Sequence, residues 1–510
     1  MQDDKKWSER ARCAVPVSQH SEEPLQSHDK ARVCDDSNRD RTFRCVSLPP
    51  EILAEIFCYA ASVVDTDVTN GIWQLGRVCS YWRSVVLSSP SLWSTVNISK
   101  PLPIERPARI VEEVLLRSRN APLSITFVPG RRMNREQMSR VIHLITAASH
   151  RWRTVCLRNI PESHLSQFSG LQGHVPMLTE LDYEAPGSPE WLAGTQSLRK
   201  LRICVPKRLG VRFCRIRRSA TSVPTRSITA ENLITLPISL SQLRECDVTP
   251  ISLQQEVALL RASPNLEKYT IRSRDTVMSI PSQLIRISKL HTLTFPSRSN
   301  STILPQLVLP SLRCLYLVRG DGFKAFDPDI VLPFADLVSR SSCSLTELII
   351  SDAEANWELL PQFITQVPLH NLTTLSVACN ATTLFATLIK ALTIELGVTF
   401  VFLPRLKNLH LRPCYLQHYY QVQNMDLVIE MARSRWHLSD EQAKTVTRLA
   451  FLRFATTNPW ARPAPSNFRG TLRPLLALRD EGLAVDIDRF YVYGDEAGDG
   501  NDDYVEGEEL

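Results

Sequence analysis

Thirteen Cys and eleven His are the residues of this sequence best suited to hold a metal or form a covalent intermediate, and their spacing supports neither role. No two Cys stand in a C-x-x-C pair, and several, Cys156, Cys204 and Cys314 among them, fall inside apolar runs that read as strands. They are expected to be small buried hydrophobes. His143 and His150 sit seven residues apart on a predicted helix with no acidic partner at metal spacing. Asp495, Asp499, Asp502 and Asp503 imitate a calcium loop only loosely, because the glycine and closing glutamate fall out of register. Phosphate-binding G-x-x-x-x-G-K-[ST] and G-x-G-x-x-G, zinc-binding H-E-x-x-H and nucleophile-bearing G-x-S-x-G patterns are all missing. The sequence implies a non-enzymatic chain with no cofactor, no metal site and no catalytic residues.

Attention shifts to what the chain could bind. Its 510 residues exceed one ordinary domain, and 43% hydrophobic with 22% charged residues is the balance of a soluble globular protein. Thirty-three Pro against 17 Gly point to frequent turns rather than low complexity. No run reaches the ~18 to 20 apolar residues of a bilayer span, and the first residues lack a signal-type apolar core, so a reducing compartment, cytoplasmic and/or nuclear, is expected and no membrane partner. The Asn-x-Ser/Thr triplets at Asn97, Asn300, Asn371 and Asn380 would then never meet glycosylation machinery. Eight acidic and no basic residues occupy 494–510; set against the total of +6, this leaves +14 elsewhere. That tail and residues 1–45 have too few apolar anchors to fold and are expected to be disordered.

Order is expected to begin at Val46-Ser47-Leu48-Pro49-Pro50-Glu51, a helix-start signal. Ile52, Leu53, Ile56, Phe57 and Ala60 then form one apolar stripe of a helix. Leu75, Val78, Cys79 and Trp82 predict a second, and Arg83 to Leu87 a third short piece ending on Leu92 and Trp93. So small a core gains from sharing its surface. Spacing alone leaves two readings open, a module that docks another chain and a helical cap on whatever follows. The residues LPPEIL-AEIF, then LGRVCSYWRSVV, then SSPSLW closely resemble the F-box, in the form abundant in mushroom-forming (basidiomycete) fungi. The resemblance implies a trihelical hook that inserts into the Skp adaptor of a cullin-type ubiquitin ligase. Carried across by position, it implies adaptor contacts from Leu48, Pro49, Ile52, Leu53, Ile56, Val78, Cys79 and Trp82.

Downstream, L-x-x-L-x-[apolar] recurs as MLTELDY at 177, SLRKLRI at 197, QLRECDV at 242, NLEKYTI at 265, KLHTLTF at 289, SLRCLYL at 311, SLTELII at 344, NLTTLSV at 371 and RLKNLHL at 405. RWRTVCL at 151 is a degenerate earlier copy. The shorter intervals, 22 to 24 residues between 242 and 311, match a leucine-rich period of about 20 to 29. Each copy predicts a strand with alternate side chains facing a common core, entered by a turn at Pro176, Pro264, Pro310 or Pro404. One such unit cannot bury its own apolar face, so the units must stack. Helices are expected at 106–118, 136–148, 254–261 and 335–338, and a strand at 123–128. Between the copies at 197 and 242 lies an Arg-dense stretch, about 205–230, with three readings: a solvated insertion, a localisation or nucleic-acid patch, or an unspliced intron. Its single aromatic, Phe213, gives base stacking little support.

The expected architecture is α/β: a disordered segment 1–45, a small trihelical F-box at 46–95, an irregular leucine-rich-repeat-like α/β solenoid at 96–490, and an acidic disordered tail at 491–510. The function implied is the substrate receptor of a Skp-cullin-F-box ubiquitin ligase, with the Skp adaptor, through it a cullin, and an unidentified target protein as partners. The alternatives are a scaffold whose helical module is only a cap and, less favoured, a basic nucleic-acid-binding protein.

Overall fold

A computed structural model describes residues 48–63, 71–99, 107–130, 133–185, 189–204, 239–249, 252–272, 283–296, 301–318, 331–351, 367, 369–379, 382–395, 401–413, 418–454 and 468–487. The expected disordered ends and the basic stretch at 205–230 lie outside these residues. Internal contacts divide the chain into Met1–Ile52 and Leu53–Leu510. Of the first unit only 48–52 are described: Leu48 and Pro49, both exposed, precede Pro50, which opens helix α1 (Pro50–Val63). A Pro needs no amide partner in a first turn, so the helix starts where the sequence places it.

In the second unit, α1 is followed by α2 (Ile72–Val78), α3 (Ser80–Ser88) and a 3₁₀ turn at Pro90–Trp93. Strand β1 (Thr95–Ile98), α4 (Pro107–Arg117), β2 (Leu123–Phe127), α5 (Arg135–Ala147) and β3 (Trp152–Arg158) come next. The sheet continues through β4 (Glu180–Glu184), β5 (Lys200–Cys204), β6 (Glu245–Val248), α6 (Leu253–Ala262) and β7 (Lys268–Thr270). Beyond these are β8 (Ile285–Arg286), β9 (Thr292–Pro296), β10 (Leu307–Val308), β11 (Cys314–Val318), α7 (Val331–Ser341) and β12 (Glu347–Ser351). The last elements are β13 (Thr374–Cys379), α8 (Thr382–Leu392), β14 (Asn408–Pro413), α9 (His418–Trp436), α10 (Asp440–Thr445), β15 (Phe451–Phe454), α11 (Phe468–Asp480) and β16 (Ala484–Ile487).

Fourteen strands form one parallel sheet in chain order, while β8 and β10 pair separately. Every strand–return–strand unit therefore lies beside the one before it, which is the connectivity of a solenoid. All nine regular copies of the sequence pattern, and the degenerate one at 151, fall on strands. Their second, fifth and seventh residues are buried throughout; in the copy at 371 these are Leu372, Leu375 and Val377. The two-residue alternation of a strand sends the fifth and seventh to the core face, and the second anchors the turn in front.

Sequence patterning missed β1, β16 and the long α9, which lack the full leucine spacing, and it also passed over β15, although Leu449, Leu452 and Phe454 carry that spacing. The helices expected at 106–118, 136–148, 254–261 and 335–338 are α4, α5, α6 and α7, whereas other returns are 3₁₀ segments, as at Glu162–Leu171 and Glu190–Leu192. Cys156, Cys204 and Cys314, expected to be buried, are only half-buried on outward positions; the cysteine in the core is Cys246, at a fifth position. Burial pushes the thiols of Cys156 and Cys246 up, and that of Cys314 to about 11, which leaves them poor nucleophiles. Among the described residues no helix is long and apolar enough to cross a membrane.

Carbonyls near the ends of return segments, where helical bonding stops, accept from arginines that come later in the chain. Arg151 donates to the carbonyls of Leu115 and Arg119 and to the Ser118 hydroxyl at the end of α4. Arg340 reaches back to the carbonyls of Leu304, at 2.8 Å, and Leu307, at 3.2 Å. Arg435, fully buried, donates to Leu392 at the end of α8 (2.6 Å), to Leu403 (3.1 Å) and to Phe402. Each span bridges 32 to 43 residues of chain. Burial lowers the Arg435 guanidinium to about 10, so it stays charged at neutral pH and needs those three acceptors. Arg435→Met is expected to cost about 3 kcal/mol in urea unfolding, through the loss of three charge-assisted hydrogen bonds, and to raise amide exchange at Thr393 and Leu403. Arg435→Lys should recover only part of the loss, because an ammonium cannot reproduce the planar fork.

Candidate docking site

The helical stripe predicted on α1 splits into two functions. Leu53 and Phe57, one turn apart, are 4% and 1% exposed and belong to the core that runs on into the sheet. Ile52 and Ile56, one residue ahead of each, are 46% exposed. Of the ten large hydrophobic side chains exposed among the described residues, six (Leu48, Ile52, Ile56, Tyr59, Val78 and Leu87) belong to residues 48–87. Exposed apolar side chains gathered in one patch are a common feature of interaction surfaces.

The second helix expected from Leu75, Val78, Cys79 and Trp82 is not continuous, and this corrects the sequence reading. Cys79 is extended, ending α2 and capping α3, with its Sγ accepting from the Trp82 amide at 3.4 Å. The break is held by Arg83, whose Nε donates to the Gly76 carbonyl at 3.0 Å. As a result Val78 is turned outward, 62% exposed, while Cys79 and Trp82 are half-buried. Gly71 enters α2 at φ 65°, a left-handed backbone that favours glycine.

Aromatic pairs fix these short helices. Phe57 meets Trp82 edge-on, with ring centroids 4.7 Å apart, and Trp73 meets Trp93 likewise at 4.8 Å. The Trp93 indole donates to the Val86 carbonyl at 2.8 Å, a contact repeated by Trp152 on Ile145 at 3.0 Å. From the first return helix, α4, the Arg117 guanidinium lies over both Trp73 (5.5 Å) and Trp93 (4.9 Å), held by Glu113 at 2.6 Å. Cation–π contacts of this kind are worth about 0.5 to 2 kcal/mol each. They make α2, α3 and the Pro90–Trp93 turn one packed body with the start of the sheet.

A second surface, which motif reading did not reveal, is the outward face of the sheet. Its charge alternates strand by strand: β4 presents Glu180, Asp182 and Glu184, β5 Lys200 and Arg202, β6 Glu245 and Asp247. Beyond them come Lys268 on β7 and Arg272 just after it. Glu245 bridges Lys200 (3.2 Å) and Lys268 (2.8 Å), and Arg202 stands 3.7 Å from both Asp182 and Asp247. Burial alone would raise the Glu245 carboxyl, but Lys268 and Lys200 hold it below its ordinary value. From β9 to β13 the same rows carry Thr292, Thr294, Tyr316, Ile349, Thr374 and Ser376, with Glu347 as their one formal charge. The fourth and sixth letters of each repeat copy hold this pattern, legible once the copies are aligned. His143 and His150 are exposed, and among the described residues no three His, Cys, Asp or Glu side chains gather to hold a metal.

The F-box-like family matches residues 45–99, the segment that holds α1 to α3 and the exposed apolar side chains. Among solved structures, the crystal structure of a TLR13–ssRNA13 complex is similar at 14% identity over 70% of this chain and 47% of that chain, with a TM-score of 0.24. The chain thus spans about half the length of that protein. No curated protein matches it.

Phe57→Ala is expected to destabilise the helical segment by about 3 kcal/mol, since it empties a site at the Trp82 ring. Ile56→Ser, one residue earlier, should change stability by less than about 0.5 kcal/mol. Hydrogen exchange of α1 and α3 reads both.

Proposed function

We propose that this chain is the target-recognition subunit of a Skp-cullin-F-box ubiquitin ligase. The observation that carries the reading is the F-box-like match at residues 45–99 over a stretch that leaves Ile52, Ile56 and Val78 exposed. The docking residues are Leu48, Pro49, Ile52, Ile56 and Val78, which face solvent, with Cys79 half-buried beside them. Leu53 and Trp82 act from beneath, packing against the sheet core and Phe57 and so fixing the direction of the exposed side chains. At about 1.5 to 3 kcal/mol for each large apolar side chain fully buried, a few such residues suffice for stable binding to an adaptor groove.

The parallel-strand body is a leucine-rich-repeat-like solenoid that holds a target protein. The chain itself is not catalytic. It raises the effective concentration of a target lysine at the ubiquitin-loaded partner, and the cullin is reached through the adaptor. Such a subunit works in the cytoplasm, the nucleus or both. The packing of Arg117 over Trp73 and Trp93 supports one other reading, a helical cap that seals the first strand and binds no ligase.

Co-purification with the Skp adaptor of the same organism separates the two. Wild type should bind stably, and Ile52→Asp/Ile56→Asp should weaken binding by at least about 100-fold with no change in melting temperature. A folded wild type that ignores the adaptor would leave the cap as the function of α1 to α3.

A further inference from the structure

The third residue of each repeat copy lies just before its strand, or in the copy at 151 on the second residue of β3, and these residues form an unbroken line along one edge of the sheet. The Thr179 amide donates to the Arg153 carbonyl, Arg199 to Thr179, Arg244 to Arg199, and Glu267 to Arg244. His291, Arg313, Thr346, Thr373, Lys407 and Ala450 continue the series, each bond 2.7 to 3.0 Å. Five cations, Arg153, Arg199, Arg244, Arg313 and Lys407, and a single carboxylate, Glu267, stand on this line. Arg244 is taken by Glu267 at 3.1 Å. Arg153, Arg199, Arg313 and Lys407 are exposed, and none has an ion-pair partner among the described residues. On the neighbouring outward positions the opposite holds, since Lys200, Arg202 and Lys268 are each matched by a carboxylate. An edge that keeps four unmatched cations in register, beside a face where charge is cancelled, holds a net positive field.

We infer that this edge binds an acidic, extended segment of the target protein. The inference rests on the reading of the body as a target-binding scaffold. From Arg153 on β3 to Lys407 just before β14 is nine strand steps, about 43 Å at ~4.8 Å each. An extended peptide rising ~3.3 Å per residue covers that distance in about 13 residues, so several carboxylates of one segment can reach the four cations together. A nucleic acid fits less well. The line carries no Phe, Tyr or Trp to stack bases.

The test measures binding of the full chain to a fluorescein-labelled peptide of seven Glu-Ser repeats by anisotropy, at low and high salt, beside a fourteen-nucleotide single-stranded RNA. Wild type should bind the peptide in a salt-sensitive manner. Arg153→Ala/Arg199→Ala/Arg313→Ala/Lys407→Ala should weaken it about thirty-fold, a few-fold per exposed cation, and still bind the adaptor. The four corresponding Glu substitutions should switch preference to a Lys-Ser probe. Unchanged affinity in the fourfold Ala variant, or preference for the RNA, overturns the assignment. So does peptide binding seen only after removal of residues 488–510, since the chain's own acidic end would then be the occupant. Loss of adaptor binding in the wild type with the edge still capturing peptide would overturn the ligase reading alone.

Discussion

Everything described here depends on the lateral backbone hydrogen bond between one strand and the next. A strand of three to seven residues cannot bury its apolar side alone, and a parallel neighbour reached through a return segment supplies both the hydrogen bonds and the second wall of the core. Each added unit completes the one before it and leaves its own edge for the next. The arginine contacts show the same dependence in the return layer, where carbonyls of one segment find donors that arrive thirty or more residues later. Stability is thus built by nearest neighbours, and a defect is felt locally.

That constraint explains the helical segment. Among the described residues no strand precedes β1, and Leu53, Phe57, Val85, Val86 and Trp93 of α1, α3 and the Pro90–Trp93 turn share one core cluster with Val96 and Ile98 of that strand. A helix has two apolar sides to offer only if one is used within the chain. In α1 the inner pair is Leu53 and Phe57 and the outer pair is Ile52 and Ile56. Phe57 is held by Trp82 and the neighbouring turn by Arg117, so the inner side of the helix is fixed by packing within the chain.

The outward face divides the labour differently. Between β4 and β7 charge is matched across strands, which contributes modestly to stability because such pairs are partly solvated, and which removes net charge from that half. From β9 to β13 the face is nearly uncharged, with Tyr316 and Ile349 among small hydroxyl residues. The unmatched cations lie on the edge instead. A repeat array can vary each of these rows separately, because the second, fifth and seventh letters of the copy hold the fold and the third, fourth and sixth do not.

The sequence by itself determined the strands at 151 to 411 and the start of α1, since a leucine period and a Pro-Pro helix entry act within a few residues. It also carried the F-box-like stripe from Leu48 to Trp82 and the charge pattern of the outward rows. Only the tertiary structure decided which half of the α1 stripe is buried, because Leu53 and Ile52 are chemically alike and differ in what lies beside them. It decided the break at Cys79, where a thiol cap and the Arg83–Gly76 contact outweigh a helical period that would have run on. It placed β1 and β16, whose short apolar runs lack the leucine spacing and become strands because a neighbour offers them an edge. It assigned Arg151, Arg340 and Arg435 to distant carbonyls. Periodicity is read from spacing along the chain, whereas burial, pairing and capping are set by neighbours that spacing does not name.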